Sequence, residues 1–215
     1  VLALAAAACL VQATTFYTYS DFKKAWDKNE IGELEDIRLS FQNSYVSLKR
    51  FQRSYYSGTF DGNGVTIYLQ DGYLFEEIRG ATIKNVRLEA HGSQSPGNLL
   101  AQTFSGGVIL EGVQSRHNYI SINATSTAGL LLGSGSGDLV ISGFTIWGLE
   151  INSDKDVTLG GLVGAVNSGG SVTISDTTIE AKVTTGNKYC GGFVGVSYAP
   201  VRIYRSKFSG TVGHH

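Results

Sequence analysis

Five segments of one form recur along the chain: IKNVRL from Ile83, LEGVQS from Leu110, ISGFTI from Ile141, ISDTTI from Ile174 and IYRSKF from Ile203. Each reads aliphatic, two residues, variable, one residue, apolar, and their first residues stand 27, 31, 33 and 29 positions apart. A second apolar knot precedes each of them: Leu74-Phe75, Leu99-Leu100, Leu130-Leu131, Leu162-Val163 and Phe193-Val194. A unit of two or three short strands divided by Gly, Ser and Asn turns cannot bury a face alone, but it can stack on a copy of itself. The repeat therefore predicts a β-solenoid. A period near thirty without a helix between strands excludes a leucine-rich horseshoe and an ankyrin array, and a propeller blade needs roughly forty residues per unit. A parallel β-helix tolerates the unequal spacing, because extra turn residues loop outward while inward residues keep stacking. In GGLVG, from Gly160, the aliphatic pair is predicted to be buried, with the glycines supplying positive φ and close backbone approach at a corner. The alternation that follows sends Val172 and Ile174 inward and Ser171, Thr173 and Ser175 outward.

Composition agrees with strands and turns. The 215 residues include 28 Gly against 2 Pro, no Met, 11 Tyr and 10 Phe, with 42% hydrophobic and 16% charged residues. A chain of this make-up buries a real core as one domain. The formal net charge is -1, and the basic residues that cluster do so only around Lys49, Arg50 and Arg53. A phosphate backbone would meet no basic stripe, so nucleic acid is excluded as the expected partner.

The first thirteen residues, VLALAAAACLVQA, read as the apolar core of a secretory signal peptide, with small residues at Val11-Gln12-Ala13 for cleavage. Two other readings stay open: a buried apolar strand or helix, and a lipoprotein site at Cys9. The stretch is too short to span a bilayer, so the mature chain is expected to be secreted without a membrane span. Cys190 is then the sole thiol, expected as a small buried hydrophobe beside Gly191. Residues 14–56 are expected to hold a short capping helix and the first strands. In TYSDFKKAWDKN, Ser20 is the expected N-cap, with Phe22, Ala25 and Trp26 at helical spacing. From Ile37 onward the pattern turns to period two, and residues 57–215 are assigned to β-helix coils.

The stretch GTFDGNGVTIYLQDGYLFEEIRGATIKNVRLEA, from Gly58 to Ala90, resembles the entry coil of secreted right-handed β-helix proteins with GLUG motifs, a pectin-lyase-like solenoid. The boxes at Gly129, Gly161 and Gly192 are similar to that family's Gly-aliphatic-x-Gly repeats, so the resemblance covers roughly Ser57 to Gly213. Val65 stands where the family usually has His, and YLFEE and NLLAQ lack the family's glycines. The resemblance implies a right-handed coil, a place on the cell surface in adhesin-like proteins, and no catalytic residues of its own.

Related β-helices include polysaccharide lyases and hydrolases, which set Asp pairs, or Asp with Arg or Lys, on an outward face. The candidates here are Asp154 with Asp156, Asp138, Asp176, and Arg202 with Arg205. Acidic residues in a turn such as NSDKD ordinarily serve turn geometry and solubility, and no catalytic site is assigned. His91 and His117 are isolated, His214-His215 close the sequence, and no third ligand stands at metal spacing, so neither metal nor cofactor is expected. FDGNG lacks the acidic residue a calcium loop needs and reads as a turn. Tyr55, Tyr56 and Tyr198 are candidate stacking platforms for sugar rings, and Asn123 heads a glycosylation sequon of use only in a eukaryotic source. Two functions follow: a non-catalytic extracellular module, adhesin-like or filament-forming, and a carbohydrate-active enzyme. Ice binding would want outward Thr in register, which Thr173, Thr177, Thr178, Thr184 and Thr185 do not supply. The coil holding Val201, Ile203 and Phe208 is the expected end for self-association or for further coils.

Overall fold

The computed structural model describes residues 13–41, 45–90, 97–115, 120–186 and 188–214. They form a right-handed parallel β-helix in which every strand pairing is parallel. The first sheet has eight strands, running from Thr14–Phe16 through Ile37–Leu39, Thr59–Asp61, Thr82–Lys84, Val108–Glu111, Leu139–Ser142 and Val172–Ser175 to Val201–Tyr204. A second sheet of five strands stacks Phe75–Arg79, Ala101–Ser105, Leu132–Ser136, Val163–Val166 and Val194–Ser197. The third side is divided between two four-stranded sheets. Tyr45–Leu48, Thr66–Leu69, Arg87–Ala90 and Gln114–Ser115 make the earlier one, and Ile120–Asn123, Thr145–Asn152, Thr178–Thr185 and Lys207–His214 the later one.

The predicted inward residues fall in one ladder. Ile37 pairs with Phe60, Phe60 with Ile83, and the register continues through Leu110, Ile141 and Ile174 to Ile203. Two residues earlier, Val108, Leu139, Val172 and Val201 form a second ladder. Val172 and Ile174 are fully buried while Ser171, Thr173 and Ser175 keep part of their surface in water, as the alternation requires.

The third residue of each repeated segment marks a corner. Asn85, Gly112, Gly143, Asp176 and Arg205 all have φ between 44° and 70°, the left-handed region that turns the chain from the first sheet to the third side. The glycines of the GGLVG boxes do something else. None is at positive φ; instead a Cβ at Gly195 would sit 2.5 Å from the carbonyl oxygen of Gly164, and one at Gly164 2.7 Å from that of Gly133. Close stacking of coils, rather than a left-handed turn, fixes glycine there, which corrects half of the expectation.

The helix Tyr19–Asp27 closes the first end of the solenoid. Its N-cap is Thr18 rather than Ser20: the Thr18 hydroxyl accepts from the Asp21 amide at 3.1 Å and donates to the Asp21 carboxylate at 2.7 Å, a reciprocal cap that Ser20, inside the first turn, cannot make. Phe22 and Trp26 then point down onto the open coil. The Trp26 ring lies 5.2 Å from Phe51, 6.1 Å from Phe75 and 6.4 Å from Phe60, and its indole N–H donates to the Lys49 carbonyl at 2.9 Å. Aromatic rings thus cover ladder ends that would otherwise face water. No described helix is long and apolar enough to cross a membrane.

The ladder makes a paired prediction. Ile174→Asp places an unpaired charge in the middle of the stack and should cost more than about 4 kcal/mol, removing the cooperative melt followed by circular dichroism. Ile203→Asp, in the same ladder but half exposed, should change stability by no more than about 1 kcal/mol.

Candidate functional site

Outward side chains stack as regularly as inward ones, so their chemistry is set column by column. Arg38, Asp61, Lys84 and Glu111 are successive register partners, an alternation of sign, with Lys84 Nζ 3.8 Å from the Asp61 carboxylate. Asp61 also accepts from the Asn63 amide and the Asn85 side chain, each at 3.1 Å, so FDGNG is the turn that was expected. At the corner, Arg205 grips Asp176 with two parallel bonds of 2.7 Å. On the second sheet Arg79 pairs with Glu77 at 2.7 Å while the Ser105 hydroxyl donates to the same carboxylate at 3.0 Å.

Two of these contacts move a carboxyl group in the same direction. The Arg205 fork holds the Asp176 carboxyl below the usual carboxylate range, and Arg79 with Ser105 does the same for Glu77. A general acid for glycoside cleavage needs the opposite shift. Asp138 accepts from the Ser171 hydroxyl at 2.9 Å, Asp154 and Asp156 lie exposed in the turn between coils, and Arg202 is exposed in register with Thr173. Of the candidate acid and base residues, Asp176 and Arg205 are brought together.

The tyrosine platforms separate. Tyr56 is fully buried, its ring stacked 4.9 Å from Phe75 and its hydroxyl donating to the Glu35 carbonyl at 2.8 Å, so no sugar can reach it. Alternation places the neighbouring Tyr55 on the outside, under the Arg79 guanidinium at 4.2 Å. Tyr198 is well exposed, but it follows the last strand of the second sheet. Tyr56 bridges to Ile78 at that sheet's first strand, so five rungs, roughly 24 Å, separate the two. Asn123 is exposed at the end of its strand. Cys190 is half-buried rather than buried; its thiol donates to the Gly213 carbonyl at 3.3 Å, and burial pushes its pKa up. His214 is exposed, and the described residues include no cluster of His, Cys, Asp and Glu able to hold a metal ion. Residues 1–12 of the expected signal segment at 1–13, Cys9 among them, and also His91, His117 and His215, lie outside the described residues.

Two surfaces remain. One is the last coil, where the ladders lose their cover: Val201 is 40%, Ile203 47% and Val212 39% exposed, whereas Val172, Ile174 and Val183, their partners one coil earlier, are fully buried. Phe208 is partly covered by Phe193, 6.1 Å away. The other surface was missed in the sequence. In Thr145–Asn152 the register shifts between Ile146 and Leu149, so Trp147 and Gly148 both stand opposite Glu180. This bulge, with Gly148 at φ 71°, re-aims the strand and leaves Trp147 43% exposed beside a groove of about 310 Å³. Its signal in the sequence was the single glycine inside a strand pattern. Comparison with protein-family models, with curated proteins and with solved structures finds no match to this chain.

The Asp176–Arg205 fork predicts a pH response of known sign. A carboxyl with a lowered folded-state pKa contributes stability above its unfolded pKa and gives it up as pH falls through the folded value. An NMR titration of carboxyl carbons should therefore find Asp176 titrating below the ordinary aspartate range, and Arg205→Gln should return it to that range.

Proposed function

We propose that this chain is a non-catalytic extracellular β-solenoid module, adhesin-like or structural, built to carry further coils in parallel register on the one containing Val201, Ile203 and Phe208. One observation carries this reading: three ladders lose their cover together at that coil, on Val201, Ile203 and Val212. The opposite end is sealed by the helix and its aromatic contacts. An uncovered coil edge of this kind supports the addition of a further coil. The outward charges add support, since the ion pairs Asp61–Lys84, Glu150–Lys182 and Asp176–Arg205 each join adjacent coils and so serve the stack. The resemblance to GLUG-type repeats and the apolar leader support a place outside the cell.

A solenoid end of this kind should add strands from any matching coil, a second copy included. Sedimentation of the full chain should show concentration-dependent association that Ile203→Lys abolishes without lowering the melting temperature. A parent chain that stays monomeric at high concentration would contradict the reading.

A further inference from the structure

The groove beside Trp147 has the make-up of a saccharide site. It runs along the solenoid axis across three strands of the later third-side sheet, between two rows of outward residues fixed by the register. One row is Glu150, Lys182 and Thr211, successive partners; the other is held by Glu180, and Trp147, which precedes the lining Gly148 and stands opposite Glu180 in the register, is the exposed aromatic next to it. Gly148 and Gly210 line the groove without side chains, which leaves it open over roughly 10 Å of axis, two rung spacings. Lys182 Nζ lies 3.3 Å from Glu150 Oε1, so acceptor and donor sit side by side, with the Thr211 hydroxyl next in the row. Glu180 is exposed and makes no ion pair among the described residues.

We infer that this groove binds a neutral or amino-sugar glycan, with the exposed face of Trp147 stacking on a sugar ring. An indole is a rigid, amphipathic surface with two rotatable bonds, and leaving one half exposed on a bulged strand costs apolar burial that a stacked ring recovers. The polar row offers carboxylate acceptors and an ammonium donor at rung spacing, the complement of a ring's hydroxyls, which both accept and donate. Charge selects among sugars. Two carboxylates against one ammonium leave the groove negative, so a uronate chain is repelled while a neutral hexose or a protonated amino sugar is not. The inference deepens the reading of the chain as a non-catalytic surface module and rests on it, giving that module a ligand class.

The test uses the full chain and the fluorescence of its two tryptophans. Trp26 is buried, so a spectral change on adding ligand reports on Trp147. Oligosaccharides of glucose, mannose, galactose, N-acetylglucosamine and glucosamine are titrated beside oligogalacturonate. At least one neutral or amino sugar should bind and shift the emission. Trp147→Ala, followed by calorimetry, should weaken that binding about tenfold or more with an unchanged melting temperature, and Glu180→Gln should weaken it less. No binding across the panel, a preference for oligogalacturonate, or a Trp147→Ala chain that binds like the parent would overturn the inference. New reducing ends appearing in the mixtures would overturn the non-catalytic reading while upholding the site. Loss of self-association with glycan binding intact would sink only the end-stacking proposal.

Discussion

Everything in this molecule depends on one constraint, the parallel register of each coil on the one before it. Parallel hydrogen bonding at a rung spacing of about 4.8 Å superposes like positions. Once Ile83 is inside, Leu110, Ile141, Ile174 and Ile203 must follow it, and once Asp61 is outside, Lys84 and Glu111 lie beside it. Burial therefore comes in columns, and so do charge pairing and corner conformation. No coil is stable alone, because each covers the apolar edge of its predecessor. The two ends are where the logic breaks. The aromatic cluster under Phe22 and Trp26 covers the edge of the first coil, whereas Val201, Ile203 and Val212 are exposed on the last described one.

The left-handed corners show how a backbone demand can outrank side-chain preference. Asn85, Gly112 and Gly143 suit that conformation; Asp176 tolerates it; Arg205 does not favour it at all. A long side chain at φ 44° is strained, and the neighbouring coil presents Asp176 at the same corner for a bidentate contact. Local strain and interaction between coils meet at one column. Something similar happens in the GGLVG boxes, where glycine is required by the carbonyl stacked against it rather than by its own torsion angles.

The inward ladder was legible in the sequence because two signals agreed, the period-two alternation within a segment and the return of that segment about every thirty residues. The capping helix was legible through Phe22 and Trp26, although its cap residue was not, since both Thr18 and Ser20 are good caps and only tertiary placement chooses. The corner residues hid in plain view: three of five are Asn or Gly, but Asp176 and Arg205 break the pattern that would have announced a left-handed column. Tyr56 was misjudged because alternation around Tyr55-Tyr56 fixes that one ring goes in, not which. The groove beside Trp147 left only one trace in the sequence, Gly148 inside a strand pattern, and the reason is physical. A bulge is a difference of one residue between two paired strands, and single-strand periodicity carries no information on pairing.

The register itself can be tested by disulfide formation on the outer face, in a chain with Cys9 and Cys190 replaced by Ser. Ser142 and Ser175 are direct register partners, whereas Ser142 and Thr173 lie on a diagonal of roughly 8 Å between Cα atoms, beyond the reach of a disulfide. Air oxidation should close a bridge in the Ser142→Cys, Ser175→Cys chain, seen as a mobility shift reversed by reductant, and leave the Ser142→Cys, Thr173→Cys chain open. A bridge in the second chain but not the first would mean that the coils stack two residues out of this register, and the ladder on which the account rests would be wrong.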